Sequence, residues 1–213
     1  MNNTATASNE ALEVAVTSAI DTAVAALTAN GFLPQVLATK EEALAKIKEL
    51  IPKGASVMNG TSKTLEQIGY IEYLKAGNHG WNNLHAAILA EKDPAKQAEL
   101  RKHSVVSDFY LGSVHGLSQT GEVVIASASG SQLPHLAYTS PNIILVVGKQ
   151  KITPTLMHAI ARIDSQVLPL EDERMKAAHG IGTTHAKTLI LHKESPFMGR
   201  KVHVLLVEEK LGF

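Results

Sequence analysis

Apolar positions alternate between two rhythms along this chain. Leu12, Val16, Ala19, Ala23 and Leu27 recur every three or four residues, which predicts a helix stopped by Asn30-Gly31. "FLPQVLA" then reads as a strand, and Pro34 places it at or near an edge. Thr39 followed by Glu42 makes a capping box for a helix reaching Ile51, and "ASVMN" follows as a strand. Thr64 with Gln67 reads as a second capping box, ahead of the stripe Leu65, Ile68, Ile71 and Leu74. Asp93-Pro94 starts another helix. "SVVSDFYLG" and "EVVIAS" read as strands, and "SASGSQLPHLA" as a loop leading to a short helix. "NIILVVG" is the strongest candidate for a strand buried on both faces. Thr153-Pro154 opens the helix "PTLMHAIARI". "QVLPL", "KTLILH" and "KVHVLLVEE" complete the predicted strands, with "EDERMKAAHG" as an intervening helix.

Strands and helices alternate nearly throughout. That pattern predicts an α/β fold with a mostly parallel sheet covered by helices on both faces. We divide the chain into residues 1–22, a flexible N-terminus and the start of a peripheral helix, and residues 23–213, one α/β domain.

Composition narrows the function. Lys+Arg and Asp+Glu are 20 each, so no global charge favours nucleic acid as a partner. The chain has no cysteine, which excludes thiolate catalysis and cysteine-held clusters and fits a reducing compartment. The N-terminal residues lack a basic, then apolar, leader pattern, and the apolar runs are too short to span a bilayer. The expectation is a cytoplasmic protein with no membrane partner.

Candidate chemistry lies in three segments. Asn59, Gly60, Thr61, Ser62, Lys63 and Thr64 fall between a predicted strand and helix, where parallel sheets bind ligands and helix starts attract anions. Ser127, Ser129, Gly130, Ser131 and Gln132 repeat that design after a second strand, and the two loops together could line one crevice. Thr120 and Gly121 form a turn before Glu122, whose carboxylate is a candidate catalytic base or nucleophile, with Asp108 as an alternative. The bland readings, a capped turn for the Gly60 loop and a solvated strand start for Glu122, are the commoner outcome for such residues.

The remaining motifs exclude more than they assign. Neither His79/His85 nor His179/His185 has the spacing of a helical zinc site, and HExxH is absent, so no metal is assigned. No dinucleotide fingerprint, Walker loop or nucleophile elbow occurs, so no cofactor is assigned.

Three segments resemble the lactate utilisation (LUD) domain family: "IPKGASVMNGTSKTLEQIG", "YLGSVHGLSQTGEVVIASASGSQLPHLAY" and "PNIILVVGKQKITPTLMHAIARI". With "GRKVHVLLVEEKLGF", the resemblance runs from about Ala23 to Phe213. It implies a fold similar to the sugar-phosphate isomerase and CoA-transferase group, in which loops at strand ends bind phosphates or acyl groups. It also implies a link to bacterial oxidation of L-lactate to pyruvate, in a system whose other subunits carry iron–sulfur clusters. The chain departs from cysteine-bearing members in "ERMKAAHGIGTTHAKTLILHKES", and from a "D-G-x-G-N-R" branch at Ser127 to Gln132.

The reading that follows is a non-redox accessory protein binding a small anionic metabolite, with iron–sulfur oxidoreductase subunits as candidate partners and a homo-oligomer left open. The alternatives are an isomerase or acyl-transferase using a carboxylate, and a ligand-free interaction module.

Overall fold

The structure, a computed structural model, describes residues 18–213. Leu12 and Val16 of the first predicted helix lie outside the described residues. The described part of that helix, α1, covers 18–29 and buries Ile20, Ala23 and Leu27. Asn30 donates its amide to the Ala26 carbonyl, and Gly31 ends the helix at φ 83°.

Strand β1 (Leu33–Leu37) leads into α2 (Lys40–Leu50). The Thr39 hydroxyl accepts from the Glu42 amide at 3.2 Å, and the Glu42 carboxylate accepts from the Ala38 amide at 2.8 Å. The capping box therefore forms, with its return bond one residue further out than usual. Strand β2 (Ser56–Asn59) is followed by α3 (Lys63–Gln67) and α4 (Tyr70–Lys75). A two-residue strand, β3 (Asn82–Asn83), precedes α5 (Leu84–Ala90) and α6 (Pro94–His103). Asp93 caps α6 through the amides of Ala95 and Lys96, as the Asp-Pro pair predicts.

The remaining strands are β4 (Phe109–Ser113), β5 (Gly116–Ser118), β6 (Val123–Ser127), β7 (Asn142–Gly148), β8 (Ile152–Thr153), β9 (Lys187–Leu191) and β10 (Lys201–Val207). Helices α7 (Leu156–Arg162) and α8 (Leu168–His179) lie between β8 and β9. Six strands form an all-parallel sheet in the order β1-β10-β7-β4-β2-β3. The β1 strand is at its edge, where Pro34 can lack an amide donor without breaking a ladder.

Both faces of this sheet are covered. One core joins Ala43, Ile47, Leu65 and Tyr70 of the helices to Leu111, Ile144, Val146 and Leu205 of the strands. The opposite core joins Ala23 and Leu27 of α1 to Ile143, Leu145, Val147 and Val204. This is why "NIILVVG" is apolar at successive positions: alternate side chains enter different cores.

The second core is closed by a smaller sheet that the sequence reading does not contain. Its order is β8-β5-β6-β9, with β5-β6 and β6-β9 antiparallel. Val123 and Ile125 face the second core, while Val124 packs outward on Ala159 and Ile163. Two of its strands have only two or three residues, too short for a period-two signal.

Three local predictions are corrected. "QVLPL" is helical rather than a strand: Val167 closes a π-type turn and Pro169 sits in the first turn of α8, where its missing amide leaves no broken bond. Thr155, not Thr153, caps α7. Ser62, not Thr64, caps α3, its hydroxyl accepting from the Leu65 amide at 3.3 Å.

Candidate functional site

The carboxyl ends of β2, β4 and β6 converge on a cavity of about 390 Å³. That volume lies in the range of small-molecule sites, ~300–1,000 Å³. The two Gly/Ser loops predicted from the sequence meet there. Gly60, Thr61, Ser62, Lys63 and Thr64 form one wall, and Ser127, Ser129, Ser131 and Gln132 another.

Tyr110 links these walls from below. Its buried hydroxyl donates to Gln132 Oε1 at 3.3 Å and accepts from the Gly60 amide. Burial raises its pKa, so the hydroxyl stays protonated. Gln132 is itself oriented by Nε2 donating to the Ala126 carbonyl at 2.9 Å. A Cβ at Gly60 would lie 2.8 Å from the Tyr110 hydroxyl, so the close approach of the loop requires glycine there.

Other residues singled out from the sequence lie away from the lining. Asn59 is buried beneath the loop, and its Nδ2 donates to the Gly60 carbonyl at 3.1 Å. Gly130 turns with φ 88° against the Lys187 side chain. Thr120, Gly121 and Glu122 sit on the β5-β6 turn. There the Glu122 carboxylate accepts from the Thr120 hydroxyl at 2.6 Å and from the Ser118 hydroxyl. Desolvation raises the Glu122 pKa, but those hydroxyls, its own amide and His192 outweigh it and leave the net shift downward. Asp108 clips β2 to β4 by accepting from the Ser56 amide and hydroxyl at 2.8 and 2.7 Å, which lowers its pKa.

The helix after the first loop supplies little charge. With five residues, α3 has a small dipole, and Ser62 already occupies the Leu65 and Glu66 amides. Lys63 pairs with Glu66 at 2.9 Å on a half-exposed surface.

The positive charge comes instead from Lys151, which the sequence reading missed. Lys151 is 3% exposed, and its Nζ donates to Thr64 Oγ1 at 3.0 Å, Ser113 Oγ at 2.9 Å and the Val114 carbonyl at 3.1 Å. All three partners are neutral. Behind it Arg162, 5% exposed, donates from Nη1 to the His115 carbonyl at 2.7 Å, and its Nε has no partner. Burial first, and then the charge of Arg162, lower the Lys151 pKa to about 7. Burial, with Lys151, Arg162 and His185 nearby, lowers His115 to about 3. His115 is therefore neutral, with Nδ1 accepting from the Ala126 amide at 3.0 Å.

The rest of the rim consumes its own charges. Glu171 holds Arg174 in a two-pronged pair, with bonds of 2.7 and 2.6 Å. His185 lies between Asp164 at 2.9 Å and the Thr188 hydroxyl at 2.6 Å. Leu211 is fixed by Gln150 at 2.9 Å and the Gly212 amide by Gln67 at 2.6 Å, which brings Phe213 to the cavity edge. Among the described residues, no cluster of three or more His, Asp or Glu side chains is arranged to hold a metal ion, and no helix is long and apolar enough to cross a membrane.

The LUD domain profile matches residues 20–207. This chain belongs to the LUD domain family. Among solved structures, the LUD chain is similar to a DUF162 family protein from Deinococcus radiodurans, determined at 1.70 Å resolution. The TM-score is 0.53 at 13% identity, over 91% of this chain and 97% of that one. At that identity the likeness shows the fold alone. No curated protein matches the chain.

One signal could have found Lys151. The strand-end rule that singles out Gly60 applies equally to β7, and Lys151 follows its last residue, Gly148, by three positions.

Proposed function

We propose that this LUD-domain protein binds a small carboxylate metabolite of organic-acid utilisation, of the lactate and pyruvate kind, in the cavity between its two Gly/Ser loops. One observation carries the reading: the Lys151 amine, which exchanges between charged and neutral forms near pH 7, and the Arg162 guanidinium are buried basic groups whose bonds all go to neutral oxygens. A buried charge is strongly disfavoured unless it is paired, so an anion at the cavity wall would compensate these two. The hydroxyls of Thr61, Ser62, Ser127 and Ser129 would orient it, and family membership supports the link to lactate utilisation.

The protein's role in this reading is non-redox. With no cysteine it offers no thiolate for a cluster, and electron transfer would fall to partner subunits. The carboxylate-using enzyme reading has less support, because Glu122 and Asp108 stand outside the lining and Glu171 is held by Arg174.

The test is thermal shift against lactate, pyruvate, sugar phosphates and CoA esters, in the wild type, Lys151→Met and Lys63→Ala. A ligand that binds only the folded state raises the melting temperature. A shift with lactate or pyruvate that is lost in Lys151→Met supports the reading. Equal shifts in wild type and Lys151→Met would refute it.

A further inference from the structure

Lys151 differs from an ordinary anion-binding lysine in how its hydrogen bonds are distributed. The Val114 carbonyl can only accept from Nζ. Ser113 Oγ donates its own proton to the Val146 carbonyl at 2.7 Å, so it too must accept from Nζ. The third partner, Thr64 Oγ1, is free to do either. Its other contact is a long 3.4 Å bond to the Leu211 carbonyl, so it can accept from an ammonium or donate to an amine. Two fixed acceptors use the two N–H bonds of a neutral amine. The lone pair then points to the Thr64 side, and it is free for a ligand in the cavity when the Thr64 hydroxyl turns its proton to the Leu211 carbonyl.

We propose that Lys151 is a nucleophilic lysine that captures a small 2-oxo acid as an imine, with the acid's carboxylate held by the hydroxyls of the two loops. This builds on the anion-binding reading above and names its substrate class. The Nζ lone pair adds to the carbonyl carbon to give a carbinolamine. The carbonyl oxygen then leaves as water with both amine protons, and a C=N bond remains. The Thr64 hydroxyl, bonded to Nζ, is placed to pass a proton to the departing oxygen. No oxidant or reductant is consumed. A 2-oxo acid fits better than a plain aldehyde because it brings an unpaired negative charge, the cavity's own Glu171 being held by Arg174. Once protonated, the imine keeps a positive charge beside that carboxylate.

The neighbours of Nζ favour the uncharged amine. Arg162 stands behind it on α7, neutral His115 follows β4, and the Lys63–Glu66 and Glu171–Arg174 pairs on the rim are each internally compensated. With its pKa lowered to about 7, Lys151 is uncharged far more often at neutral pH than an ordinary lysine at ~10.4.

The experiment incubates the full chain with pyruvate and sodium cyanoborohydride, which reduces an imine to a stable secondary amine. Modified lysines are then mapped by peptide mass spectrometry. The expected result is modification of Lys151 at least about tenfold above any other lysine, given its uncharged fraction. Labelling should rise between pH 6 and 8 and be suppressed by excess lactate, which has no carbonyl. The site is read from wild-type peptides, so the result does not depend on a variant folding, and Lys151→Arg serves as a control that should lose the adduct. An unmodified Lys151, or labelling spread evenly over surface lysines, overturns the proposal. If lactate still raises the melting temperature in that case, anion binding stands and only the imine falls. If neither acid raises it and no adduct forms, both readings fall.

Discussion

Two hydroxyl-rich turns in this molecule look alike in the sequence and behave differently in the fold. The loop Gly60 to Thr64 and the turn Ser118 to Glu122 each combine glycine, serine or threonine and a charge. In the second turn those groups satisfy one another: Ser118 and Thr120 both donate to Glu122, and Asn30, just after α1, donates to the Thr120 carbonyl at 3.2 Å. In the first, Gly60 and Ser62 make the structural bonds, and Thr61, Ser62, Lys63 and Thr64 still border an open cavity with a buried amine beside it. Composition does not separate a cradle from a clasp. What separates them is whether the polar groups are consumed locally and whether an unpaired charge stands behind them.

The contrast can be broken by substitution. The largest expected effect is in the clasp. Gly121 has φ 90°, and a Cβ there would lie 2.9 Å from the Ala26 backbone carbon. Gly121→Val should lower stability by about 3 kcal/mol, from backbone strain and overpacking together, while ligand affinity in the folded fraction is unchanged. Denaturant melts and titrations with lactate check the two halves separately. Lys151→Met should do the reverse. Loss of a charge-assisted contact of ~1.5–3 kcal/mol weakens anion binding by roughly ten- to a hundredfold. Calorimetric titration reads that loss.

The same lysine predicts a pH dependence. Its folded pKa, near 7, lies below the unfolded value of ~10.4. Between those limits the unfolded chain holds the extra proton, so stability rises with pH. The stability of the wild type relative to Lys151→Met should therefore increase from about pH 7 toward the ordinary lysine range. A difference that stays flat across this window would mean that the amine is charged in the folded protein.

Smaller effects lie at the two surface charges. Glu122→Gln should cost less than about 1 kcal/mol near neutrality, because the glutamine oxygen still accepts from the Ser118 and Thr120 hydroxyls and only the charge is lost. Its folded pKa is lowered, so its contribution is present above the unfolded carboxylate value and disappears as pH falls through the folded one. Lys63→Ala should change stability by under about 1 kcal/mol, since its pair with Glu66 is a half-exposed surface contact. A larger loss would show that the Lys63–Glu66 pair holds the loop in place.

The sequence carried the parallel sheet and each of the two loops, because these depend on local signals, whereas the meeting of the loops joins strands of two different sheets and could only be raised as an option. Continuous apolar runs such as Ile143 to Val147 mark strands buried twice, and small polar residues after a strand mark the sheet's ligand edge. The second sheet was not legible, because β5 and β8 are defined by tertiary pairing and not by periodicity. Thr64 looked like a cap because its spacing to Gln67 fits a capping box, yet Ser62 stands two residues earlier and takes that role. Lys151 carries no local signal of its own in "GKQK". Only the register of β7 against β4, and the turn that follows it, carry its side chain inward to Ser113.

The strand order has a consequence for how the chain is made. β10, whose residues follow every other strand in the chain, lies between β1 and β7, pairing Val36 with Leu206 on one side and Leu145 with Val204 on the other. During synthesis, β1 and β7 therefore wait with open edges until the last strand emerges and joins them. Such late, distant pairing slows folding and exposes apolar strands meanwhile. Arrest or cleavage before residue 201 would leave β1 without a partner and a four-stranded sheet open along β7, an exposed edge of the kind that invites pairing with another chain.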